Sequence, residues 1–313
     1  MRGWGSRGQA APLVQREGET AAPAAGGEAP GGEALPGGAG GETVSLEQQV
    51  RDALAGESPD TDVPYLIGWA PEGDRWRLLN NGLLLWAMRN RLGDGARLDV
   101  AQSLARDLDI ADRVRVAEAF YDLSTAPAGK IRQATGLLML SDEEVDRNTA
   151  DRILNGDITV QYIEDLSQPP NVNNLLAGYG YDPAVWTFYY RPGSTINVIW
   201  VQLNAVGFRI IGSNIICGFR RLPLERWQTL LVHETNHARN PDPTTPLLNY
   251  QSEFRAYWVA EYREVEDLEE RANLIKAHVL ADYPGISAVY NTDETVRNAI
   301  DAYTRPTGNI TNI

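Results

Sequence analysis

The chain has one cysteine, Cys217, so no internal disulfide can form and packing alone must hold the fold. It has three histidines in 313 residues. A stretch that uses two of them close together therefore needs a reason. No apolar run reaches the ~18 residues of a membrane-spanning helix. The N-terminus, "MRGWGSRGQAAPLVQRE", has arginines but lacks the apolar stretch of about 7–15 residues that marks a secretory signal peptide. Basic residues are in deficit, 28 Lys and Arg against 42 Asp and Glu, for a formal net charge of -14. That balance argues against nucleic acid and anionic lipid as partners, and it does not oppose a metal cation.

What the chain does have is core-forming material. Hydrophobic residues make up 43%, with eight tryptophans and thirteen tyrosines. Residues 1–42 are the exception. "GETAAPAAGGEAPGGEALPGGAGGE" is built from Gly, Ala, Pro and Glu, too poor in apolar side chains to offset the entropy of ordering. It reads as a disordered leader, either a passive tail or a loading tag.

Order is expected from Ser45, where "SLEQQVRDAL" sets a capping serine three residues ahead of Gln48. Helices are expected over 77–92, 99–108, 112–123 and 141–156, the last capped by Ser141 with Glu144 and stopped by Gly156. Residues 43–156 thus read as a mainly helical region with no catalytic constellation. After Gly156 the pattern changes. "DITVQYIEDL", "AVWTFYYRPGSTINVIWVQLN" and "GFRIIGSNIICGF" alternate and are β-branched, as in a twisted sheet of about four or five strands. Turns fall at Pro192-Gly193-Ser194 and Gly212-Ser213-Asn214. The aromatics at 185–190 and 198–200 suit a buried core or a cleft wall. Helices then return: one entered at Pro223 and ended at Asn240-Pro241, a long one from Asn249 broken near Asp267, and one over 292–305. The acidic run Glu264–Glu270 reads as a solvated face. The whole is an α+β chain with its second unit at 157–313.

The helix after Pro223 contains "HETNH". His233 and His237 stand four apart, so their imidazoles share one helix face. Glu234 is turned about 100° away and can sit beside a bound ion without ligating it. This is the H-E-x-x-H pattern: two ligands and a general base. Leu224, Trp227, Leu230 and Leu231 give the helix an apolar anchoring face. A catalytic zinc needs a third protein ligand and an open position. Downstream, "SEFRAYWVAEY" puts Glu253, Tyr257 and Glu261 on one helix face. Glu253 is the first choice, with Glu261, Glu264 and Asp242 as alternatives. A structural zinc would instead want a fourth protein ligand, usually cysteine, and Cys217 falls in a strand-like segment, a weak candidate for that place. The bland reading, two surface histidines on an ordinary helix, remains beside it.

"HETNH" followed by "EFRAY" resembles the gluzincin type of zinc metallopeptidase, over about residues 157–265. The resemblance implies a zincin-like domain: a small twisted sheet, the motif helix and a glutamate-bearing helix, with a peptide lying extended beside an edge strand. It assigns Zn2+ to His233, His237 and Glu253, the base to Glu234, and a protein or peptide as substrate. No metzincin-like third histidine follows, since the chain continues "ARNPDPTT". The leader with "VQRE" at 14–17 is similar to bacterial toxin or effector metallopeptidases loaded into contractile injection systems. Those carry a leucine-threonine or similar pair within the motif and a glutamine soon after, where this chain has Thr235-Asn236 and Ala238-Arg239. That similarity implies synthesis in a bacterial cytoplasm and export by a specialised apparatus engaging the leader. Tyr257, Tyr262 and His278 are available as a second electrophile, although packing explains each of them better. Asn236, Asn240 and Asp242 are near enough to orient the histidines. The competing class is a non-catalytic binding or structural protein with an incidental or structural metal site.

Overall fold

The computed structural model describes residues 44–166, 172–178, 180, 182–189, 199–202, 206–210, 213–239 and 243–305. The 1–42 leader, the Pro192-Gly193-Ser194 turn, the Asn240-Pro241 stop and Asp242 lie outside the described residues. The described chain is α+β and mostly helical.

Eight helices come first: α1 (Leu46–Ala55), α2 (Pro59–Gly68), α3 (Glu72–Leu79), α4 (Gly82–Arg91), α5 (Asp94–Ala105), α6 (Ile110–Phe120), α7 (Lys130–Met139) and α8 (Glu144–Leu154). Ser45 Oγ accepts the Gln48 N–H and starts α1 where the capping pattern places it. Residues 77–92, expected as one helix, form the end of α3 and all of α4. The Asn81 side chain accepts the Leu84 N–H and caps a new helix there. Ser141 does not cap α8. Its hydroxyl donates to Asp146 and accepts the Glu143 N–H, so it braces the preceding turn and the helix begins at Glu144. Gly156 is the expected stop, with φ of 81° just past α8. Helices α1 to α6 close over a core that includes Val63, Ile67, Leu78, Met88, Val100 and Phe120.

The β region holds β1 (Thr159–Tyr162), α9 (Val172–Gly178), β2 (Trp186–Tyr189), β3 (Ile199–Gln202), β4 (Gly207–Arg209) and β5 (Ile215–Gly218). These are two sheets among the described residues, not the single sheet expected. One has the order β1-β5-β4, with β1 parallel and β4 antiparallel to the central β5. The other is the antiparallel ribbon β2-β3, Trp186 opposite Gln202 and Tyr189 opposite Ile199. A hairpin satisfies its own backbone pairing locally, so alternation in sequence does not say whether two hairpins join.

Helices α10 (Leu224–His237), α11 (Pro246–Ala260), α12 (Leu268–Asp282), α13 (Pro284–Thr292) and α14 (Glu294–Thr304) follow. Asp267 caps α12 by accepting the N–H groups of Glu269 and Glu270, which is the break expected near that residue. Helix α10 is the central element. Its Trp227, Leu230, Leu231 and Val232 share one core with Ile131 and Leu138 of α7, Ile153 of α8, Val160 and Tyr162 of β1 and Ile216 of β5. That core runs across residue 156. On the far face of the sheet, Cys217 and Phe208 pack with Ile163 and Leu166. Helix α11 backs onto a further core, where Tyr250, Phe254 and Tyr257 meet Ile275, Val279, Tyr283, Ile286 and Ile300.

Candidate metal centre

From Leu230 to Asn236 every residue of α10 is buried. A helix covered on all sides should be apolar on all sides. This one carries His233, Glu234, Thr235 and Asn236 at the covered end. Polar groups placed there need partners, and α11 supplies them to the two histidines. Thr245 caps α11 by accepting the Leu248 N–H, with Pro246 in the first turn. One face of that helix then meets the ring of His233 three times. Glu253 Oε2 lies 3.6 Å from its Nε2. The Tyr257 ring stands edge-on at 4.8 Å between centroids. Glu261 Oε1 lies 3.2 Å from Nδ1.

His237 is treated in the same way. Its Nε2 is 3.5 Å from the same Glu253 Oε2, and its Nδ1 is 2.9 Å from Ser252 Oγ. Each Nδ1 thus has an outer oxygen beside it, Ser252 Oγ hydrogen-bonded to His237 and a Glu261 carboxylate oxygen in ion-pair contact with His233 but outside hydrogen-bonding geometry, and each Nε2 lies near the same Glu253 oxygen. Among the described residues, His233, His237 and Glu253 form a group with donor atoms all within 4.8 Å of one another. Zinc bonds of 2.0–2.1 Å in tetrahedral geometry separate neighbouring donors by about 3.3–3.4 Å. Charge-assisted hydrogen bonds would draw nitrogen and oxygen to about 2.7–2.9 Å. The 3.5 and 3.6 Å from Glu253 to the two imidazoles are close to the edge of a coordination tetrahedron, and the group as a whole spans up to 4.8 Å, so the donors would have to draw together slightly to hold an ion. The donor set fits a metal ion of borderline hardness.

The local field favours a cation. Burial would pull the His233 pKa down, but the carboxylates of Glu253, Glu261 and Glu234 outweigh it and hold the imidazole well above its ordinary value. Burial would push Glu253 up, but the imidazoles of His237 and His233 hold it well below the usual carboxylate range. A buried hydroxyl completes the arrangement: Tyr283 donates to Glu253 Oε2 at 2.6 Å. Burial and the Glu253 carboxylate push the Tyr283 phenol well up, so it stays a donor.

Of the alternatives for a third ligand, Glu261 sits on the outer nitrogen of His233 and Glu264 is exposed. Cys217 lies within the sheet core, accepting from Gln161 Nε2 at 3.3 Å. Of the candidate electrophiles, Tyr262 and His278 are engaged with each other. The Tyr262 hydroxyl is 2.6 Å from His278 Nδ1, and His278 Nε2 is 3.1 Å from Asp282. Tyr257 packs between His233 and His278 with its hydroxyl buried. Burial and the Glu261 carboxylate push that phenol far up. Asn236 is buried on α10. The outer partners of the histidines prove to be Ser252 and Glu261. Glu261 was visible in the sequence through its spacing from Glu253, whereas nothing local marked Ser252 or Tyr283.

Searches of protein-family models, curated proteins and solved structures found no significant match to this chain. No helix among the described residues is long and apolar enough to cross a membrane.

Proposed function

We propose that the chain is a zinc-dependent endopeptidase of the gluzincin type, in which His233, His237 and Glu253 hold the ion and Glu234 is the general base. The observation that carries this reading is the position of Glu253 Oε2, 3.5 and 3.6 Å from two imidazole nitrogens on a buried helix. The flanking architecture supports it. Among the described residues strand β4 lies at the edge of its sheet with Gly207 against Leu230 of α10, and α11 carries the glutamate.

Bound zinc would supply Lewis acidity at neutral pH, both for activating water and against the developing oxyanion. The protein supplies the rest. Glu234 follows His233 on a helix buried along this stretch, and its side chain is buried beside the histidine. It would take the proton of the attacking water and return it to the leaving amine. Glu261 and Ser252 stand beside the outer nitrogens of the two histidines and would orient the rings around an ion. The effector reading, with delivery through the 1–42 leader, rests on composition and belongs to the same proposal.

The test is metal content together with turnover. Elemental analysis should find one zinc per chain, and a peptide library should be cleaved in a way that a chelator stops and added zinc restores. Stoichiometric zinc without cleavage of any peptide would move the protein to the class of metal-stabilised binding proteins. Absence of zinc after supply in excess would remove the reading altogether.

A further inference from the structure

His278, the third histidine, lies outside the donor group around Glu253, and both of its ring nitrogens are engaged. Nε2 lies 3.1 Å from Asp282 Oδ2, one turn further along α12. Nδ1 lies 2.6 Å from the Tyr262 hydroxyl. An ionised carboxylate only accepts, so Nε2 carries the proton of the neutral ring and Nδ1 is left with a lone pair. The 2.6 Å contact is then a phenol O–H donating to a base. Burial, with the carboxylates of Glu261 and Asp282, holds the Tyr262 phenol above its ordinary value, so it keeps its proton until a base takes it.

Each group has its own support. Tyr262 sits in the turn after α11, where its N–H goes to the Tyr257 carbonyl at 3.2 Å and its carbonyl accepts from Val265 at 3.1 Å. The His278 ring packs on the Tyr257 ring, with 4.3 Å between centroids. The cluster also reaches the surface. The side chains of His278 and Asp282 are 18% and 13% exposed, and Tyr262 is partly exposed. Tying the turn to α12 needs only a donor and an acceptor. A third group that fixes the tautomer of the acceptor is what an activated nucleophile needs.

We propose that Tyr262 is a covalent modification site, a phenol nucleophile with His278 as its base and Asp282 as the residue that positions the base, and that it takes an acyl group from an activated acyl ester. A bond forms between Tyr262 Oη and the acyl carbon, and the bond from that carbon to the leaving oxygen breaks. The phenol proton passes to His278 Nδ1 and from there to the leaving group. No step involves the metal group, so the proposal stands apart from the peptidase reading.

The test treats the full chain with p-nitrophenyl acetate and follows acetyl groups on individual tyrosines by peptide mass spectrometry. Tyr65 is the internal reference, 67% exposed on α2 beside Trp69. In the wild type Tyr262 should gain acetyl at least about tenfold faster than Tyr65, although it is less exposed. His278→Gln should slow Tyr262 by about 100-fold, the contribution of a general base, and leave Tyr65 unchanged. Asp282→Asn should fall between the two. A Tyr262 rate no higher than that of Tyr65 in the wild type would overturn the proposal, and this comparison needs no variant to fold. Equal Tyr262 rates in the wild type and His278→Gln would overturn it as well. An unchanged rate in Asp282→Asn would overturn the positioning role of Asp282.

Discussion

Arg263 grips Asp146 with both terminal guanidinium nitrogens, each 2.8 Å from a different carboxylate oxygen, across 117 positions of sequence. The pair ties α8 to the turn after α11, the helix that carries Glu253. Asp146 is buried, with the Ser141 hydroxyl as a further donor. Arg263→Met should therefore strand a buried carboxylate and cost about 3 kcal/mol, as breaking one side of a buried pair does. The double variant Asp146→Asn with Arg263→Met should recover much of that loss. Urea unfolding of these two variants and of Asp146→Asn alone checks both statements, and additive losses would show that the residues act separately.

Gly207 and Gly218 face each other across β4 and β5, under Leu230. A Cβ on Gly218 would lie 2.6 Å from Leu230 and 2.7 Å from Trp227, and one on Gly207 would lie 2.6 Å from the Cys217 carbonyl. The requirement here is space, not a special backbone angle. Gly218→Ala should lift α10 off the sheet and destabilise the fold by about 1–3 kcal/mol, the usual range for overpacking. The denaturation midpoint measures it. Zinc affinity should fall in parallel, because both histidines ride on the displaced helix.

The helices were legible where caps and stops are local. Ser45, Asp267 and Gly156 each act within a few residues of themselves, and each is found at its expected boundary. Boundaries failed where the same residue types had other uses. Asn81 splits an apolar run that looks continuous, and Ser141 bonds to Asp146 instead of capping. Helix α2 was hidden by Pro59 and Pro64, one of which only occupies its first turn. The division into two sheets was not legible at all, because ladder partners are chosen by tertiary packing.

Glu261 offers the clearest test of the site's outer layer. It lies 3.2 Å from the nitrogen of His233 that would not face the ion, and its side chain is 24% exposed, so it can be removed without opening the core. Glu261→Ala should weaken zinc binding by about 10–100-fold. Glu261→Gln should recover part of the loss, since an amide oxygen keeps a dipole beside the imidazole nitrogen but not the charge. Competition with a chelating dye gives the affinities. Equal values in all three proteins would exclude Glu261 from the site.

The inner site was more legible than its support. His233, His237 and Glu253 could be picked out because H-E-x-x-H fixes two donors by helix geometry, and a glutamate facing them needs only one turn and one helix. Ser252 and Tyr283 could not. Serine is common near helices, and Tyr283 is 30 residues from the carboxylate it holds. Its role exists only once α12 has folded back on α11.

On the proposed reading, Glu234 is the residue whose replacement separates binding from chemistry. It is buried beside the first histidine and is not a member of the donor group around Glu253. Glu234→Gln keeps the volume and removes the basicity, so zinc content should stay at the wild-type level. Hydrolysis should fall by at least the ~100-fold that general-base catalysis contributes. His237→Ala should behave differently, losing metal and activity together. If Glu234→Gln instead lost zinc, the carboxylate would be a ligand and the division of roles along α10 would have to be redrawn. If it hydrolysed peptides at the wild-type rate, some other group would be taking the proton. The two variants measured side by side, for zinc by elemental analysis and for cleavage by mass spectrometry, distinguish these outcomes because each disturbs a different one of the two quantities.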